Sequence, residues 1–280
     1  MMTTTLRPTG PLQKTGDGAQ SRSYQVCVNS RPVGLIELGT DPGFGSTVGV
    51  VHALHIDEPD RGRGRGTVAA LAAEEVLRGW GCEQVLAAAP ADAVPALRTL
   101  AALGYVERSR NMIKDLAPEP PELPAGVEAR PMTLAEFQDW LVKAQEKFAE
   151  HWIARGATPE QARAKSEASH RESLPAGLDT PGVSMWVLIA EGEVVGHVWV
   201  ARREVRPGER APYVYDVAVA EDRRGKGYGR ALMLLAERIA GEGGASLIGL
   251  HVFSDNTPAV RLYESLGYGT TGINFFKRLL

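Results

Sequence analysis

Between β-type and helical patterns late in the chain stands Arg224-Gly225-Lys226-Gly227-Tyr228-Gly229. Glycines at this spacing let consecutive backbone N–H groups approach a ligand, and the following helix adds the positive end of its dipole. The loop is therefore suited to cradle phosphate. It is not a Walker loop, because Lys226 is followed by Gly227 rather than Ser or Thr. Its G-x-G-x-G spacing, after a hairpin-fed strand, also differs from a dinucleotide fingerprint at a first βα turn. The phrase occurs twice: Arg61-Gly62-Arg63-Gly64-Arg65-Gly66 lies 163 residues earlier, counted from Arg61 to Arg224. The same offset carries Leu71 onto Leu234, Glu74 onto Glu237, Leu103-Gly104-Tyr105 onto Leu266-Gly267-Tyr268, and Lys114 onto Lys277. A gapless register of this length indicates an internal duplication.

The elements that must hold these loops read as mixed α/β in each repeat. In the second, Trp186–Ala190 and Val194–Val200 flank a Glu191-Gly192 turn, and a further strand spans Tyr213–Val219. Ala231, Leu234, Leu235 and Ile239 fall at helical spacing after the glycine loop; a buried strand covers Ser246–Phe253, a short helix Thr257–Leu266 and a closing strand Ile273–Leu279. Two more helices are predicted over Leu134–Gly156 and Pro159–Leu174, with Phe137, Trp140, Leu141, Ala144 and Phe148 forming an apolar stripe on the first. The first repeat has no room for that pair. The boundaries expected are a flexible tail over 1–20, a degenerate repeat over 21–116, a proline-rich linker over 117–126, and a full repeat over 127–280.

The glycine loop together with Asn256-Thr-Pro-Ala259-Val-Arg-Leu262-Tyr263-Glu-Ser-Leu266-Gly267-Tyr268 resembles the GCN5-related N-acetyltransferases, and the two-repeat layout is similar to that of mycothiol synthases. The resemblance is strong over about residues 127–280 and weaker over 20–116. It implies two tandem acyl-CoA N-acyltransferase folds, the N-terminal one truncated, each a mixed sheet splayed between its fourth and fifth strands. It further implies acetyl-CoA as cofactor, with pyrophosphate on Arg224–Gly229 and the thioester and pantetheine arm on backbone N–H groups of Val217, Ala218 and Val219. Asn256 and Tyr263 lie seven residues apart on one helix face, both able to meet the cofactor. Tyr263 matches the general acid that protonates the departing thiolate. The glutamate base of the family's histone-acetylating branch has no match, since Tyr213 stands there; Asp216 and Glu209 are the nearby carboxylates, Asp216 is carried as the candidate base, and an ordered water, as in many relatives, is the alternative. Arg61, Gly62, Arg63, Gly64, Arg65 and Gly66 form a possible second CoA site. Leu100 and Ala93 replace Tyr263 and Asn256 at the offset, so the first repeat is expected to have lost the chemistry.

The expected reaction is transfer of an acetyl group to a primary amine, of a small molecule or a peptide, in a ternary complex; the acceptor is expected to enter over Leu134–Leu174. The rival from another class is a non-catalytic acyl-CoA sensor or scaffold. With 280 residues, 44% hydrophobic and 23% charged, the composition is that of a globular protein of about two domains. A net charge of −3 offers no general attraction to nucleic acid or anionic membrane, and neither is expected as a partner. Cys27 and Cys82 form no metal spacing, while His52 and His55, three apart on a strand, point to opposite faces, so no metal is expected. The start lacks a signal-type apolar run, and the expectation is a cytoplasmic protein, either a monomer with pseudo-dimeric repeats or a homodimer.

Overall fold

The computed structural model describes residues 4–16, 18–41, 47–153 and 158–279, among which there are thirteen strands and six α-helices. They fall into two units, Met1–Arg110 with Thr271–Leu280, and Asn111–Thr270. Unit 1 holds β1 (Thr4–Pro8), β2 (Gln13–Lys14), β3 (Gln20–Val28), β4 (Arg31–Thr40), β5 (Val48–Ile56), α1 (Arg65–Gly79), β6 (Gln84–Pro90), α2 (Val94–Ala102) and the first half of β7 (Val106–Asp115). Unit 2 continues with the rest of β7, β8 (Val127–Pro131), α3 (Leu134–Ile153), α4 (Pro159–Ser173), β9 (Val183–Ala190), β10 (Glu193–Arg206), β11 (Glu209–Val219), α5 (Tyr228–Glu242), β12 (Leu247–Phe253) and α6 (Thr257–Ser265), before β13 (Gly269–Arg278) returns to unit 1. The helix expected to reach Gly156 is seen through Ile153; its last three residues lie outside the described ones.

Unit 2 orders its strands β7-β12-β11-β10-β9-β8. The β9–β10 hairpin turns through Glu191 (φ 53°) and Gly192 (φ 79°), left-handed at both central positions, the twist that suits a two-residue hairpin. Alternation then sorts β10 into two faces. Val198 and Val200 join the core under α5 with Leu232, Leu235 and Ile248, while Trp199 and Ala201 face the opposite cluster with Phe137 and Trp140 of α3. Helices α3 and α4 are both capped from sequence: Glu136 and Thr133 bond each other's backbone N–H before α3, with Arg130 bidentate on Glu136 at 2.8 Å, and Thr158 and Gln161 form a full capping box on α4.

Unit 1 repeats the pattern in the order β1-β3-β4-β5-β6-β13. Its closing strand comes from the far end of the chain: β13 pairs with β6 from Gly272↔Pro90 to Arg278↔Gln84, and Phe275 enters the unit 1 core. Its offset equivalent in β7, Met112, enters the core of unit 2. The final strands of the two repeats thus complete each other's units, and each brings a lysine to a buried glutamate. Lys277 meets Glu74 at 2.7–2.8 Å over the Tyr105 ring, and Lys114 meets Glu237 at 2.7 Å over the Tyr268 ring. Glu74 and Glu237 are 2% and 3% exposed, so each needs its lysine.

Two boundaries differ from the sequence reading. Residues 4–8 are not a free tail; Thr4–Pro8 pairs in register with β3 from Thr4↔Val28 to Pro8↔Tyr24, whereas Met1–Thr3 and Asp17 lie outside the described residues. The proline-rich segment is not a divider either. Leu116 donates to Ser246 O at 2.8 Å, and Leu116 and Leu123 pack on the unit 2 core, giving that stretch apolar surface to cover. Cys27 and Cys82 are both buried and unbridged. No helix among the described residues is long and apolar enough to cross a membrane.

Candidate active site

In unit 2 the glycine loop leads directly into α5. Gly225 (φ 79°) and Gly227 (φ 85°) are left-handed, and Gly227 is the N-cap. Nothing lies within 4 Å of a Cβ built on either, so both face open space. The first helical bond runs from Ala231 N–H to Gly227 O, leaving the N–H groups of residues 225–230 without an acceptor among the described residues. A row of unpaired donors at a helix start carries positive potential that favours an anion. Arg224 is largely exposed, 3.7 Å from Glu221.

Upstream, β11 changes partner. Trp199 pairs with Asp216 and Val200 with Val214, so Tyr215 is the extra residue of a β-bulge. The parallel pairing to β12 consists of Tyr213↔Gly249 and Val214↔Leu250 alone. Past the bulge, Val217, Ala218 and Val219 keep their β10 partners but have no strand on the other edge, which opens a splay lined by free backbone groups. Tyr263 reaches this region from α6. It is 7% exposed, and burial, followed by the negative charge of Asp216, pushes its phenol up to about 12. Asn256 caps α6, its Oδ1 accepting Ala259 N–H at 3.3 Å.

Asp216 does not stand free. Its Oδ2 accepts from His197 Nε2 at 2.9 Å and from Trp140 Nε1 at 3.1 Å. Burial works to raise its pKa, yet the bond and charge of His197, the Trp140 indole and the more distant Lys147 hold it below the usual carboxylate value. Trp140 packs edge-on against His197, Trp199 and His170 of α4, and Trp199 stacks on Tyr215 at 4.8 Å. His197 and Trp140 are the residues that spacing alone does not reveal: one lies inside an apolar strand, and the other reads as part of a helix stripe. The remaining carboxylate candidate, Glu209, is tied to Arg206 at 3.2 Å across the β10–β11 turn and takes no part in this cluster. Tyr213 is buried in the sheet beneath the Arg203 guanidinium.

Unit 1 has the same frame with different side chains. Gly62 and Gly64 are left-handed, α1 starts at Arg65, and the bulge residue of β5 is His52, the offset equivalent of Tyr215. The Arg65 side chain is buried against Asp60, which also binds Arg31. By sheet register Leu35 stands opposite His55 as His197 stands opposite Ala218, and Glu37 takes the place of Trp199. Where unit 2 has its aromatic cluster, unit 1 has a polar cavity of about 420 Å³ lined by Ser21, Ser23, Glu37 and His52 beneath Thr9–Gln13.

A helix-start N–H cradle beside a bulged, splayed strand defines an acyl-CoA-dependent acyltransferase, and the chain carries that frame twice. The Acetyltransferase (GNAT) family profile matches residues 4–105 and 136–268, and the chain belongs to this family as a tandem acetyl-CoA-dependent N-acetyltransferase. It is similar to the uncharacterized N-acetyltransferase YycN of Bacillus subtilis, 32% identical over 151 residues that make up 53% of this chain and 96% of the relative. It is also similar to the mycothiol acetyltransferase of Nocardiopsis dassonvillei, 29% identical over 280 residues, covering 89% of this chain and 78% of the relative. Among solved structures, a GCN5-related N-acetyltransferase from Sphaerobacter thermophilus shares the fold with a TM-score of 0.59 at 20% identity, over 92% of this chain and 80% of the other. A tandem GNAT protein from the clavulanic acid biosynthesis pathway shares it at 0.52 and 18%, over 94% and 84%.

Proposed function

We propose that unit 2 transfers the acetyl group and that unit 1 does not. The observation that carries this is the buried Tyr263, which stays protonated throughout the neutral range, beside an open β11 edge and a free N–H cradle; unit 1 has the edge and the cradle but Leu100 in place of the tyrosine. When bound, acetyl-CoA supplies an acetyl thioester. The N–H groups of residues 225–230 hold its pyrophosphate, and the backbone of Val217–Val219 grips the pantetheine arm and the thioester carbonyl, where negative charge develops as the amine attacks. Tyr263 donates its phenolic proton at the sulfur as the C–S bond breaks. The acceptor amine enters over α3 and α4, the pair that unit 1 lacks, against the wall of Trp140, Trp199 and Tyr215. Unit 1, with Leu100 in place of Tyr263, serves as scaffold or as a second CoA site.

The test is a panel of small-molecule and peptide amines, following free thiol release from acetyl-CoA, with thermal melting to report cofactor binding. The expected result is an acetyl-CoA-dependent melting shift and turnover of one acceptor class. A melting shift with no amine-dependent thiol release across the panel would replace this reading with a non-catalytic acyl-CoA sensor.

A further inference from the structure

Resting on the assignment of transfer to unit 2, we infer that His197, not Asp216, accepts the proton released by the acceptor amine, and that Asp216 and Trp140 position its ring. Asp216 is a poor base where it stands: two N–H groups converge on Oδ2, engaging that oxygen's lone pairs and reducing the proton affinity of the carboxylate. The same bonds fix the imidazole tautomer. An indole nitrogen only donates, and an ionised carboxylate only accepts, so the nitrogen 2.9 Å from Oδ2 must be Nε2–H. In the neutral ring this leaves the lone pair on Nδ1, which has no hydrogen-bond partner among the described residues, and the side chain is 24% exposed, open to a ligand.

The sheet supplies the aim. His197 is the cross-strand partner of Ala218, in the middle of the free β11 edge, so its ring is anchored opposite the backbone assigned to the thioester. The groups around it are consistent with a proton acceptor that becomes cationic. Asp216 and Tyr215 come from β11, Lys147 and Trp140 from α3, His170 from α4 behind Trp140, and Tyr263 from α6 beside Asp216; the β9 neighbour is Val187, which does not titrate. The Asp216 carboxylate faces the ring directly and stabilises an imidazolium. At the register positions of His197 and Asp216, unit 1 carries Leu35 and Ala53, so the pair is absent where the tyrosine is also absent. The proton balance closes: the nitrogen forms its bond to the acetyl carbon and gives one proton to His197 Nδ1, the sulfur leaves with one from Tyr263, and solvent returns the first to the phenolate.

The experiment is the pH profile of kcat/KM for a weakly basic amine acceptor, one already neutral across the pH range scanned, in His197→Gln and Asp216→Asn, read beside acetyl-CoA affinity and the ¹⁵N shifts of the His197 ring. In His197→Gln, kcat/KM is expected to fall about 10²–10⁴-fold with acetyl-CoA affinity retained, and the acid limb of the profile is expected to vanish. In Asp216→Asn, kcat/KM is expected to fall with acetyl-CoA affinity retained, and the ¹⁵N shifts of the ring are expected to lose the single Nε2–H tautomer, because the carboxylate that fixes it is gone. The wild-type ring is expected as the Nε2–H tautomer. Turnover with an unchanged acid limb in His197→Gln, or an Nδ1–H tautomer in the wild type, overturns the base assignment alone. Absence of turnover with every amine by the wild type overturns the transferase reading of unit 2 and the base with it.

Discussion

The two units share a sheet-and-loop frame and part at the α3–α4 pair and at the side chains. Both have a two-residue hairpin turn with left-handed centres, Asn29-Ser30 in one and Glu191-Gly192 in the other, and both have a bulge at the same register and a left-handed glycine capping the loop helix. Both bury a glutamate against a lysine from a strand that closes the other repeat. Unit 1 lacks the α3–α4 pair with its Trp140, and Leu35, Ala53, Ala93 and Leu100 stand where unit 2 has His197, Asp216, Asn256 and Tyr263. The difference teaches that the splay and cradle are parts of the scaffold, maintained by turns and buried charge, whereas the chemistry is a thin layer on one copy of it.

Three pairs of substitutions probe that comparison. The largest effect belongs to Tyr263→Phe, expected to lower turnover about 10²–10⁴-fold while leaving acetyl-CoA affinity in place, since it removes a donor needed mainly as the thiolate leaves. The control in unit 1, Leu100→Ala, should leave the turnover of folded protein within about twofold; steady-state and single-turnover kinetics compare them. Next, Lys114→Met should cost about 3–5 kcal/mol in urea unfolding, because Glu237 is left as a buried unpaired charge, and Lys277→Met a comparable or smaller amount, because Glu74 keeps Arg78 at 3.9 Å. Comparable losses would support a symmetric scaffold; a loss in only one would break the symmetry. The smallest effect is at the helix caps. Ala93 (φ −76°, ψ 59°) and Asn256 (φ −79°, ψ 62°) share one backbone geometry. Asn256→Ala should cost about 1 kcal/mol of stability, and Ala93→Asn should recover up to about the same amount in unit 1.

The glycine loop and the Asn256–Tyr263 helix are readable in sequence because each is contiguous and its function depends on local spacing. The hairpin, α5 and the substrate-side helices are readable for the same reason, from turn chemistry, caps and period. What escapes is set by sheet register. His197 meets Asp216 across nineteen residues only because the Tyr215 bulge shifts the pairing of β10 with β11, and Trp140 joins them from seventy-six residues away through the packing of α3. The exchange of closing strands escapes as well, because β7 and β13 carry equivalent residues and either would satisfy a simple alternation rule. The Thr4–Pro8 edge strand has little apolar content to announce it, and the proline-rich stretch hides Leu116 and Leu123 among residues that resemble a linker.

The division of labour between units is tested most directly by the paired variants Gly227→Val and Gly64→Val, measured for acetyl-CoA-dependent turnover of the best acceptor after circular dichroism shows that both fold. Each glycine is left-handed at the start of its loop helix and has open space at Cβ, so the two substitutions impose the same backbone strain, of order 1–2 kcal/mol. Any difference between them therefore reports the site and not the fold. The account predicts that kcat/KM for acetyl-CoA falls roughly tenfold or more in Gly227→Val and changes by no more than about twofold in Gly64→Val. Loss of turnover in Gly64→Val with Gly227→Val unimpaired would contradict it and move the active site to unit 1.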